Sequence, residues 1–258
     1  MKTIYLKILA LVSFLVMIVA NALANILPIN NITTGQISDS YPNLFAPAGF
    51  TFSIWGLIYL LLFIYTIYQF FLKGKDEEII KKISPYYIAS SLINATWIFA
   101  WHYEQIFLSV ILMLGILYCL IKIANIMRDQ KLEFMKNLFL SVPFSIYFGW
   151  ITVATVANIT VFLVSTGWNG FGVADYVWTS IILLVATFVG IARTFYDKKI
   201  AYILVFIWAY YGILSKHTSL NGFNNQYSLI IYTLYICLGL FLITTIYFLV
   251  KKPSTTKN

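Results

Sequence analysis

Few residues in this chain could carry covalent chemistry. His102 and His217 are its only imidazoles and stand far apart, and Cys119 and Cys237 each sit alone in an apolar run, where a thiol behaves as a small hydrophobe. Metal-ligand spacing, a nucleophile elbow and a glycine-rich phosphate loop are all missing. Nor does any apolar run hold paired carboxylates of the kind that ion-coupled carriers and proton pumps place at mid-membrane depth. The reading is therefore no enzyme, no metal and no required cofactor. What the apolar runs do contain is indole and carboxamide: Trp55 with Tyr59, then Asn94, Trp97 and Trp101, then Trp150, Ala154 and Asn158. Their chemistry is non-covalent. Flat rings stack on indoles, a few amides orient a guest, and a small residue leaves it room.

Such groups need rigid elements to hold them, and composition says which. The chain is 61% apolar and only 10% charged, and its long uncharged runs each reach the roughly 18 to 20 residues that cross a hydrocarbon core of about 30 Å. No period-2 alternation is sustained, so a β-barrel is excluded. The expected fold is an all-α, polytopic transmembrane helical bundle of about eight helices, with spans near 4–25, 49–72, 85–102, 105–126, 136–165, 174–194, 199–215 and 227–250. Ser84-Pro85 reads as the start of the third, a hydroxyl cap followed by proline at the first helical position.

Charge then orients the spans. Lys2, Lys7, Lys73, Lys75, Lys81, Lys82, Lys122, Arg128, Lys131, Lys136, Arg193, Lys198, Lys199, Lys251, Lys252 and Lys257 all fall at one side, while Asp39, Glu104, Asp175 and the single cation Lys216 fall at the other. By the positive-inside rule both termini are cytoplasmic, in a plasma membrane of prokaryotic type. The net charge of +8 is thus topology and contact with anionic lipid; the bilayer is the expected partner, and no nucleic acid. The first span has a basic start and an Ala22-Leu23-Ala24 end that fits a cleavage site; a retained helix is the preferred reading.

With that orientation the polar and indole side chains gather in the outer leaflet. Asn94, Trp97 and Trp101 share one helix face; Trp150, Ala154 and Asn158 run outward along another helix; Asn21 and Asn25 close the first. Interhelical hydrogen bonding is the alternative use of the asparagines. Trp168 and Trp178, beside an outer loop, read as interfacial anchors. Residues 26–48 form a polar connection, a candidate lid, which leads into NLFAPAGFTFSIWGLIY. There Pro47 and Gly49 would shape a hinge, and Phe52, Trp55 and Tyr59 would present rings over successive turns.

Three stretches resemble one family. Pro47 to Tyr59, PAGFTFSIWGLIY, is similar to the second-helix start of the TspO/MBR family, the tryptophan-rich sensory or translocator proteins. Leu92-Ile93-Asn94-Ala95-Thr96-Trp97 resembles its third-helix Leu-Asn-x-x-Trp, with one extra residue. Trp150, Ala154 and Asn158 match its fifth-helix spacing. The likeness covers about residues 1–165, a TspO-like five-helix bundle, and leaves 166–258 as three additional helices and a short basic tail. One departure is that Pro143 lies seven residues before Trp150 where the family has four. The resemblance implies a receptor, sensor or carrier that binds a porphyrin-like or sterol-like molecule between helices, with a tetrapyrrole as candidate ligand. By that resemblance Trp55, Asn94 and Trp150 line the site and Ala154 leaves room for the ligand; joined to the aromatic and amide residues grouped above, the expected ligand-binding set is Pro47, Phe52, Trp55, Tyr59, Asn94, Trp97, Trp101, Trp150, Ala154 and Asn158. The alternative is a structural or assembly protein with no small-molecule ligand. Ala20-x-x-x-Ala24 is a candidate close contact for a homodimer.

Overall fold

The computed structural model describes residues 3–26 and 29–251. Lys2, Lys252 and Lys257 of the charge pattern lie outside the described residues. Helix α1 runs Thr3–Asn25, and a short helix α2, Thr34–Asp39, follows in the connection expected to be a lid. The 3-10 turn Gly49–Ser53 leads into α3, Ile54–Tyr68. Then come α4, Lys75–His102, and α5, Ile106–Arg128. The three-residue α6, Phe134–Lys136, passes through a π-helical turn, Asn137–Ser141, into α7, Val142–Ser165. Last are α8, Asp175–Asp197, α9, Ile200–Thr218, and α10, Ser228–Val250. The described residues contain no strand, and the chain is an all-α integral membrane protein.

Among the described residues seven helical stretches are long and apolar enough to cross a membrane; Lys75–His102 is not one of them. It is long enough but too polar, because Ser84, Ser90, Ser91, Asn94 and His102 are turned inward onto other helices and buried. Its start also corrects the sequence reading. The helix begins after Gly74, at φ +61°, and places Asp76, Glu77 and Glu78 in its first turn, where carboxylates complement the positive helix end. Pro85 lies inside the helix with its ring exposed, and the Ser84 hydroxyl is buried without a partner rather than capping.

Helices α1, α3, α4, α5 and α7 close a ring: α1 packs on α3 and α4, α4 on α5, α5 on α7, and α7 back on α3. Helix α9 lies against the outside of α7, with α8 and α10 packed around it. The α7–α9 contact is close because Gly149 has no side chain; a methyl there would meet Tyr202 O at 2.7 Å. Phe14, Ile58, Tyr65, Tyr87, Tyr147, Phe206 and Phe241 fill the interior, while Phe63, Leu108, Phe188 and Ile243 point outward. That outward apolar surface is what a bilayer requires of a helical bundle. Ala20 and Ala24 are buried within this ring, so the small-residue face offered as a dimer contact is used inside the protomer.

The helix ends sort by charge. At one end Lys7, within α1, donates to Leu72 O at 3.0 Å; Lys136 pairs with Asp76 at 2.8 Å, and Lys199 donates to Asn137 Oδ1 at 2.9 Å. At the opposite end Lys216 pairs with Asp39 at 2.9 Å, and Tyr41 donates to Glu104 at 2.8 Å.

Candidate functional site

The cavity in the lid end of the ring is bounded by α3, α4, α5, α7, α9 and the connection carrying α2. Pro47, Phe52, Trp55, Trp97, Trp101, Trp150, Ala154 and Asn158 all border it. The indoles form two sets. Trp97 and Trp101 stack with centroids 5.7 Å apart at 21° on α4. In the second set Trp55 stacks on Tyr59 at 5.3 Å and meets Trp150 edge-on at 6.2 Å, and Phe52 also meets Trp150 edge-on. Both arrangements are favoured for aromatic quadrupoles. The cavity has a volume of about 50 Å³.

Two residues expected in the site lie elsewhere. Asn94 is fully buried and does not border the cavity: it accepts from Asn21 Nδ2 at 2.8 Å and donates to the Tyr147 hydroxyl at 3.2 Å. It thereby ties α1, α4 and α7 together. Tyr59 borders a neighbouring crevice shared with Phe52, Trp55, Asn21 and Asn25, which admits water centres over about 380 Å³. Asn158 borders the cavity, yet its amide is engaged, accepting from Trp97 Nε1 at 3.0 Å and donating to Ser109 Oγ at 2.8 Å. Amides deep in an apolar bundle find partners because an unpaired one costs several kcal/mol.

Among the fully buried polar side-chain atoms of the residues that border the cavity, one is not satisfied. Trp150 is 3% exposed, and its Nε1–H has no partner among the described residues. No Lys, Arg, Asp or Glu borders the cavity. The wall is thus aromatic and apolar, without an ionic side chain, and the Trp150 N–H is buried within it.

The lid is held from two sides. On α4, Trp101 Nε1 donates to Thr34 O at 3.1 Å, and His102 donates through Nδ1 to Ile29 O at 3.2 Å while Nε2 accepts from the Thr34 hydroxyl at 3.1 Å. On α9, His217 Nε2 donates to Leu44 O at 2.9 Å, Trp208 Nε1 to Thr51 O at 2.9 Å, and Ala48 N to Gly212 O at 3.0 Å. Both histidines of the chain thus give a ring N–H to a lid carbonyl. Gly49 has an ordinary φ and open space where a side chain would stand, so the turn does not need glycine there. The expected hinge is instead a 3-10 turn pinned to α9.

Sequence reasoning missed the cavity residues Thr34 and Ser38 of α2, Met113 of α5, and Ala209 and Ile213 of α9. For α2 a signal existed: Thr33 and Gln36 form a reciprocal capping box, whose Thr-x-x-Gln pattern marks a helix start. For the others only packing places them. A sequence model described as TSPO-like protein matches residues 7–247. No curated protein and no solved structure matches the chain.

Proposed function

The chain belongs to the TSPO-like family, and on that premise we propose that it is a membrane receptor, sensor or carrier for a flat, neutral, hydrophobic molecule held in the lid end of the bundle. The observation that carries the reading is the unpartnered Trp150 indole N–H in a wall of four indoles, Trp55, Trp97, Trp101 and Trp150, with no ionic group beside it. A buried donor without an acceptor costs about 1 to 3 kcal/mol, and a guest carbonyl or ether would remove that cost.

The dimensions refine the ligand class. About 50 Å³ of accessible space is below the roughly 150 Å³ that admits benzene in an apolar cavity, so even a small ring system needs the wall side chains to shift. A sterol or a tetrapyrrole needs the cavity to merge with the neighbouring crevice, and Phe52, Trp55 and Thr34 border both. A porphyrin's carboxylates would also need cations, and only Lys216 and the two lid histidines stand at that end. We therefore rank an uncharged ligand above a free porphyrin. Binding without catalysis is the reading, since both histidines are engaged with the lid. The basic end is placed in the cytoplasm, and the lid outside, by the positive-inside rule.

The test is titration of the full chain in nanodiscs with protoporphyrin, a sterol and a small neutral aromatic ketone, followed by tryptophan quenching. The ketone should bind most tightly, and Trp150→Phe should weaken it by about tenfold, the equivalent of 1.4 kcal/mol. Absence of saturable quenching by all three would sink the proposal. It would favour the second reading, a structural or assembly protein, which the engaged amides of Asn94 and Asn158 support.

A further inference from the structure

Trp168 and Trp178 belong to none of the walls described so far. Each is half-buried, Trp168 in the segment joining α7 to α8 and Trp178 in the first turn of α8, and their rings lie 5.3 Å apart, tilted by 57°. An interfacial anchor directs its N–H to headgroups and water, but Trp178 Nε1 is bonded inward to Gly170 O at 2.7 Å. That ring has only its π surface left to offer. Both indoles border a separate hollow of about 290 Å³, together with Leu44, Leu163, Ile182 and the exposed Asp175.

We propose that this hollow binds an organic cation of the quaternary-ammonium class. Indole faces attract a weakly hydrated cation through the ring quadrupole, and Asp175 supplies the counter-charge on the same rim. Asp175 has no ion pair among the described residues. No Lys or Arg borders the hollow to compete for the carboxylate. Among the described residues the sole cation at this end of the bundle, Lys216, is committed to Asp39, leaving Glu104 and Asp175 as net negative charge. Leu44, Leu163, Val164 and Ile182 give methyl groups on nitrogen apolar surface to rest on, beside the polar side chains of Asn43, Thr160 and Thr179. The site is independent of the cavity lined by Trp55 and Trp150.

The experiment uses the full chain in phosphatidylglycerol nanodiscs, free of choline lipid, titrated calorimetrically with choline and with its uncharged isostere bearing carbon in place of the quaternary nitrogen. Saturable choline binding is expected, with the isostere weaker by about tenfold. Asp175→Asn, which leaves packing intact, and Trp168→Ala should each weaken choline by about tenfold, and Trp178→Phe by less because an aromatic face remains. No saturable binding, equal binding of the isostere, or an unchanged affinity in Asp175→Asn would overturn the proposal. A phosphatidylcholine nanodisc separates the sources: loss of the free-choline signal there identifies a lipid headgroup as the occupant, and its persistence identifies a free solute.

Discussion

A methyl group on Gly212 would overlap Thr51 Oγ1, so the middle of α9 and the turn that opens α3 touch although more than half of the sequence separates them. Ala48 N and Trp208 Nε1 bond across the same contact. Helix α9 is therefore part of the lid's support. Gly212→Ala should destabilise the protein by about 1 to 3 kcal/mol through overpacking. Thr51→Ala, which removes the two shortest contacts, should recover part of that loss in thermal unfolding of the double variant.

Asn94 and Trp150 should respond in opposite ways. Asn94→Ala breaks a link between α1, α4 and α7 and leaves the Tyr147 hydroxyl without that partner. The expected cost is about 1 to 2 kcal/mol of stability with ligand affinity kept. Trp150→Phe removes a donor that has no partner, so it should leave stability nearly unchanged and weaken the ketone ligand. Paired melting and titration curves of the two variants check this, and a shared pattern would contradict the assignment.

Trp208→Phe keeps a ring against Phe50, with which Trp208 makes an edge contact at 5.5 Å, but loses the N–H to Thr51 O. Local opening is governed by such contacts. Hydrogen exchange over residues 40–53 should accelerate several-fold, while protection in α5 and α10 stays the same.

At the basic end Arg193 donates to Asp197 at 2.6 Å and to Asn125 at 2.8 Å, and Asp197 is 5% exposed. Arg193→Met leaves that carboxylate buried without its partner and should cost about 3 kcal/mol or more. Adding Asp197→Leu should return much of it, because an apolar pair avoids the desolvation that the ions suffer. Chemical denaturation of the single and double variants measures the difference.

How much of the site the sequence disclosed depended on the residue. Trp97 and Trp101 share a face by helical periodicity alone, and both border the cavity. Asn94 is on the same helix at the same spacing, yet it is turned to Asn21 and Tyr147; periodicity gives the face of a helix but not which neighbour that face meets. Likewise Pro85 looked like a helix start because proline is tolerated there. The actual start at Lys75 follows from Gly74 and the acidic turn after it, a signal masked by the assumption that a spanning helix begins where charges end.

Sequence by itself determined the bilayer as solvent, the helical class and the sorting of charge to one end, since these follow from hydropathy, length and local sign of charge, which add residue by residue. Three features were decided only by tertiary structure. Helix α9 completes the cavity and pins the lid, Asn158 is consumed by Trp97 and Ser109, and Trp150 is left with a free donor. Each of these is a matter of which polar atom meets which partner across helices distant in the chain, and hydrogen-bond satisfaction at 3 Å has no signature in spacing or composition.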